Sequence, residues 1–222
     1  MDLQLILFDF DGTLVASGEG LVRSLSYAMD ALGIREPDKK KLERFIGPPL
    51  NLGFRQWYHM NDDQIQEALS LFRQRYDKKG IYEAHVYPGI RTVLDQGKEA
   101  GIPMVVASAK PAYYLEKMIK HFDLSSYFAR VQGPGLQDEL ENKAGDDVKE
   151  RMIRAVLEHY PDTERDRIVM IGDRPSDISA AKLYGLKTIG VSYGYGTKEE
   201  IRATEPDHLA QSTEELSGIL FG

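Results

Sequence analysis

Leu3-Gln4-Leu5-Ile6-Leu7-Phe8-Asp9-Phe10-Asp11-Gly12-Thr13-Leu14 decides how the rest of the chain reads. A run of large apolar residues ends abruptly in two carboxylates two positions apart, then a glycine. The run is short and apolar on both faces, as in a buried strand of a parallel sheet. A period of two starts Asp9 and Asp11 on the same side where the strand ends. Acids beside an apolar strand end are costly without a cation or a proton to offset them. Mg²⁺ suits oxygen ligands of this kind, and Gly12 allows a sharp turn and a close ligand approach. A solvated strand-to-turn junction has the same residues, so the motif is decided by what lies elsewhere in the chain.

The chain has 222 residues, 42% hydrophobic and 28% charged, as expected of a globular protein of one large or two small domains. Its net charge of −7 argues against generic nucleic-acid binding but leaves room for a locally positive site that takes an anion. There is no cysteine, which excludes disulfides, thiolate metal sites and cysteine nucleophiles and agrees with a cytoplasmic location. The opening apolar run is too short to span a membrane and follows no basic segment. The histidines show no ligand spacing for zinc.

Working outward, the pattern turns helical after Asp11. Leu21, Val22, Leu25, Ala28, Met29 and Leu32 share a face that Gly33 closes. Leu42, Phe45 and Ile46 predict a short helix stopped by Gly47-Pro48-Pro49, and Asn61-Asp62 cap a longer one bearing Ile65, Ala68, Leu69, Phe72 and Tyr76. Residues 16–83 therefore read as a small all-helical domain inserted after the first strand. Residues 1–15 and 84–222 read as an α/β core. In that core Pro103–Ser108, Arg167–Gly172 and Leu186–Val191 are strands, with Tyr127–Val131 and His208–Ala210 as shorter candidates. Helices lie between them, and Gly133–Asp147 reads as a loop. Alternating strands and helices predict a Rossmann-like parallel sheet covered on both faces, with the site beyond the carboxyl ends of the strands.

Polar residues collect at those ends: Asp9 and Asp11, Ser108 and Lys110, Asp173 and Asp177. Acids, a hydroxyl and lysines at one sheet edge are the inventory for phosphoryl transfer. Here the resemblance to a family is carried by named residues. Asp9-Phe10-Asp11-Gly12-Thr13-Leu14 matches the D-x-D-G-T motif of the haloacid dehalogenase superfamily. Ser108 with Lys110-Pro111 resembles its second motif, and Gly172-Asp173-Arg174 with Asp177 its fourth. Phe45 to Leu50, Tyr87 to Ile90 and Tyr193 to Thr197 resemble the phosphoglycolate phosphatase or 5′-nucleotidase-like subgroup with a helical cap.

The resemblance implies a Mg²⁺-dependent phosphatase acting on a small phosphorylated metabolite through an aspartyl-phosphate. Asp9 would be the nucleophile and Asp11 the acid and base. The metal would be held by Asp9, Asp11 and Asp173, with Asp177 beside it. Gly12, Ser108, Ala109, Lys110 and the motif lysine would bind the phosphate, with Arg44 reaching in from the cap. Lys149 and Lys143 compete for the motif lysine, and Lys149-Glu150-Arg151-Met152-Ile153 fits the family's run better. Position 109 is alanine where the superfamily often has Asn or a second hydroxyl, so a side-chain donor is lost while the backbone N–H remains. A phosphomutase and a non-catalytic binding relative are the alternatives, and the assembly is a monomer or a homodimer.

Overall fold

The computed structural model describes residues 2–138 and 148–222. The opening apolar run forms β1 (Leu5–Phe8), buried at every position. It lies inside a six-stranded parallel sheet of order β5-β4-β1-β6-β7-β8. The partners are β4 (Met104–Ala107), β5 (Arg130–Gln132), β6 (Ile168–Gly172), β7 (Lys187–Val191) and β8 (His208–Ala210). Register pairs Leu7 with Val105 on one side and with Met170 on the other.

Alternation sorts the β1 side chains to two cores. Leu5 and Leu7 pack with Val105, Ile153, Val156 and Met170 under α7 (Val148–Leu157) and α8 (Pro175–Leu183). Ile6 and Phe8 face the other way, toward Leu94, Leu115 and Leu216 of α5 (Ile90–Glu99), α6 (Ala112–His121) and α10 (Thr213–Phe221). Each such side chain removed from water stabilises the fold by about 1.5–3 kcal/mol. This is the layered α/β architecture expected from the alternation of strands and helices. The short α9 (Lys198–Ala203) precedes β8 and opens with the Thr197–Glu200 capping box.

Between β1 and α5 the chain leaves the core and returns. Departure and return run through a small antiparallel pair, β2 (Val15–Ala16) and β3 (His85–Val86), joined Val15 to Val86 and Ala16 to His85. Neither strand is legible in the sequence, because two residues carry no period. Between them lie α1 (Gly18–Ala31), α2 (Lys39–Glu43), α3 (Leu50–Tyr58), α4 (Asp62–Tyr76) and a 3₁₀ turn at Gly80–Tyr82.

Two details differ from the sequence reading. The second helix ends at Glu43, and Phe45 and Ile46 pack beyond it as buried residues of the following turn. The segment after Pro49, to which the sequence reading assigned no helix of its own, is the helix α3. It starts without a side-chain cap and ends at His59 in the left-handed region, φ 53°. Gly53 in its middle lets the Phe45 ring pack directly on the helix, where a Cβ would stand 2.5 Å from that ring. A glycine chosen for packing weakens the helical signal in the sequence. Among the described residues no helix is long and apolar enough to cross a membrane.

Candidate active site

Three strand ends meet at one edge. The Asp9 N–H still donates to Ile171 O, 2.9 Å, and the Ser108 N–H to Gln132 O, 3.0 Å. Each residue is therefore held one step beyond its strand by the sheet's own ladder. Asp173 follows β6 directly, and Asp177 sits in the first turn of α8, where its Oδ2 accepts from Arg174 N–H at 3.0 Å. A carboxylate at that place is favoured by the helix dipole.

Carboxylate oxygens of Asp9, Asp173 and Asp177 lie within 4.8 Å of one another, all buried. Lys149 on α7 reaches into the group. Its Nζ stands 2.7 Å from Asp9 Oδ1 and 2.7 Å from Asp177 Oδ1, and donates to Ala107 O at 3.0 Å. Burial opposes the charge on Lys149, but Asp177 and Asp9 outweigh it, and its pKa is raised. The ammonium pairs with both Oδ1 atoms, which have no further hydrogen-bond partner among the described residues. Lys143 lies outside the described residues, as do residues 139–147 of the segment read as a loop.

Asp173 is fully buried and held by Tyr195 N–H on Oδ2 at 2.7 Å, with Gly196 N–H at 3.4 Å and the Thr13 hydroxyl on Oδ1 at 3.4 Å. Burial first, then the neighbouring Asp9 and Asp177 charges, push its pKa up to about 7. Burial likewise raises Asp177 to about 6, against the opposing pull of Lys149. One lysine thus leaves the three acids short of positive charge. An all-oxygen donor set with surplus negative charge fits a hard divalent cation such as Mg²⁺. Gly12, at φ 83°, carries the backbone past Asp173 where no side chain fits.

Asp11 is held apart from this cluster. Ser17 Oγ donates to its Oδ1 at 2.5 Å, and Lys110 Nζ donates to Oδ2 at 3.0 Å and Oδ1 at 3.3 Å. The same Nζ donates to Tyr76 Oη at 2.6 Å. A lysine has three N–H groups, and these acceptors take them all. Lys110, expected on the phosphoryl group, here serves the Asp11 carboxylate instead. Burial works against its charge, yet Asp11 and Tyr76 raise its pKa. Ser108 is buried and lines the cleft with Ala109, Asp9, Asp11 and Lys149. Arg44 is not brought in: it is exposed, stacks 4.4 Å from the Trp57 ring centroid, and is not among the cleft residues.

Sequence reasoning gave no site role to Ser17, Tyr76, Tyr195 or Arg174. Tyr76 reads as one more apolar position on α4, and Tyr195 contributes a backbone N–H that no side-chain pattern announces. Arg174 donates to Ile46 O at 2.5 Å, tying the fourth-motif turn to the helical segment between β2 and β3. The opposite wall of the cleft is apolar and comes from the helical segment between β2 and β3, through Leu21, Phe45, Leu50 and Phe72.

The chain is similar over nearly its whole length to known proteins. A 5′-nucleotidase of Pseudomonas aeruginosa is 36% identical over 218 residues, 97% of this chain and 94% of that protein. A phosphoglycolate phosphatase of Vibrio parahaemolyticus is 28% identical over 227 residues, 99% of this chain and 96% of that one. Among solved structures, a predicted phosphatase from Clostridium acetobutylicum superposes with a TM-score of 0.89 at 33% identity, covering 98% of both chains. The haloacid dehalogenase-like hydrolase family model matches residues 6–191, so the chain belongs to the haloacid dehalogenase-like hydrolase family.

Proposed function

We propose that this phosphatase hydrolyses a small phosphate monoester through an aspartyl-phosphate on Asp9, with Mg²⁺ as its cation. One observation carries the reading. Asp9 lies in a charged cluster with Asp173, Asp177 and Lys149, while Asp11, two residues away, is held apart on its own donors. One carboxylate is thus arranged for the phosphorus and the other for the proton.

Mg²⁺, held by the Asp9 and Asp173 carboxylates and the Asp11 carbonyl, with Asp177 beside it, would offset charge on the phosphoryl oxygens. An Asp9 oxygen attacks phosphorus, and the bond from phosphorus to the ester oxygen breaks. Asp11 gives its proton to that departing oxygen. Asp11 then takes a proton from a water, whose oxygen bonds phosphorus as the Asp9–phosphorus bond breaks and phosphate leaves. Lys149 balances charge on Asp9, and the Ser108 hydroxyl and Ala109 N–H would donate to the phosphoryl oxygens. Residues 16–83 act as the cap that covers the site and excludes water.

The 5′-nucleotidase and phosphoglycolate phosphatase relatives make nucleoside monophosphates and phosphoglycolate the first esters to try. The same inventory would serve a phosphomutase, but these relatives favour hydrolysis. A cytoplasmic monomer or homodimer is the working assembly. The test is phosphate release from a panel of esters with and without Mg²⁺. Turnover that survives metal removal, or full activity in Asp9→Asn, would sink the mechanism.

A further inference from the structure

We propose that Tyr76, at the end of the cap helix α4, is a positioning residue for the acid–base carboxylate, acting by holding the Lys110 ammonium on Asp11. The inference rests on the reading of Asp11 as the group that protonates the leaving oxygen. It goes further by making one cap side chain part of the proton-transfer apparatus.

The geometry points this way from several sides. Tyr76 is 2% exposed and Lys110 8%, so their contact is shielded from water. The Tyr76 ring cannot drift: it stacks on Phe72 at 4.8 Å between centroids and meets Tyr114 of α6 edge-on at 5.0 Å. The end of α4 is also clamped to α6. Asp77 Oδ1 lies 2.6 Å from Lys117 Nζ and accepts from the Tyr113 hydroxyl at 2.9 Å. The phenolic oxygen is thereby a fixed acceptor for the third N–H of Lys110, 2.6 Å away. The other two N–H groups then aim at Asp11 by the tetrahedral geometry of the ammonium.

Asp11 is held from its other side by Ser17, which opens α1. Both partners that orient the acid–base group beyond Lys110 itself therefore belong to the segment between β1 and β3. Without the Tyr76 hydroxyl, Lys110 has a free N–H and its ammonium can swing off the Asp11 carboxylate. Asp11 then loses its fixed aim at the leaving oxygen. Attack by Asp9 and binding of the phosphoryl group involve neither residue, so the defect falls on proton donation.

That selectivity gives the test. Tyr76→Phe removes only the hydroxyl. Two esters of similar shape differ in their need for a proton: benzyl phosphate needs one on departure, whereas p-nitrophenyl phosphate leaves as a stable phenolate. With Mg²⁺ present, kcat/KM reports formation of the aspartyl-phosphate. The variant is expected to lose about tenfold with benzyl phosphate and less than about twofold with p-nitrophenyl phosphate, a modest share of the contribution of general acid catalysis. An equal fall with both esters in Tyr76→Phe, or no fall with either, overturns the assignment. Should Tyr76→Phe not fold, as judged by thermal melting, Lys110→Met carries the same comparison of esters. Asp9→Asn run alongside separates the two levels: its activity overturns the aspartyl-phosphate chemistry, whereas an unselective Tyr76→Phe overturns only the positioning role.

Discussion

Gly12→Ala is the sharpest probe of how the first motif meets the fourth. A Cβ at Gly12 would stand 2.5 Å from Asp173 Cγ and 2.7 Å from its Oδ1, on a backbone at φ 83°. Ordinary contacts are about 3.4 Å or longer, so the carboxylate must retreat by roughly 1 Å. Asp173 cannot retreat freely, because Tyr195 N–H holds its Oδ2 at 2.7 Å. The left-handed backbone adds about 1–2 kcal/mol of strain for any residue with a Cβ. In a chain of this size that strain lowers the melting temperature by about 2–8 °C. A displacement of that order in a site residue costs about a hundredfold in rate. The assays are thermal melting and a Mg²⁺ titration of p-nitrophenyl phosphate turnover. Turnover falls about a hundredfold, and half-saturation moves to higher Mg²⁺. Near-normal turnover at unchanged Mg²⁺ half-saturation would refute the claim that Gly12 is there to let Asp173 approach.

Three further outcomes are expected. Lys149→Met leaves Asp9 and Asp177 buried without their counter-charge, a change worth about 3–5 kcal/mol in other buried pairs. Melting should fall sharply without metal, with partial recovery in Mg²⁺ and little turnover. Asp173, raised to about 7 against an ordinary 3.8, binds its proton more tightly in the folded state, so its contribution to stability is present at low pH and is lost as pH rises through that window. Mg²⁺ should therefore raise the melting temperature more at pH 8 than at pH 5, and an equal rise at both would contradict the charge argument. Glu83 carries the opposite sign. Its hydrogen bonds from Arg75, against the cost of burial, hold its pKa below the ordinary 4.5, so its stabilisation is present above that value and is lost as pH falls. Melting of Glu83→Gln should depend less on pH between 6 and 4 than that of the wild type.

How much of this was legible in the chain depends on the distance over which each signal acts. β1 and its two acids are neighbours in sequence, and alternation alone places them at a strand end. The later strands, the helices on their two faces and the position of Lys149 on a helix before β6 are equally local. β2 and β3 were not, because a pair of two-residue strands exists only through its pairing. Nor was α3, whose mid-helix Gly53 serves Phe45 rather than helix propensity.

The site divides in the same way. The sequence by itself determined which residues are acids at strand ends, and hence the kind of chemistry, since a motif of contiguous residues carries its own geometry. Only the tertiary structure decided which carboxylate faces which partner. It brought Lys149 across to Asp9 and Asp177. It turned Lys110 from the phosphoryl group to Asp11, and it placed Tyr76, 34 residues away in the chain, on the same ammonium. It left Arg44 on the outside against Trp57. A lysine or tyrosine at the end of a long side chain points wherever packing from other elements leaves an acceptor. That packing is set by which helix faces meet, and no period or spacing within one segment encodes it.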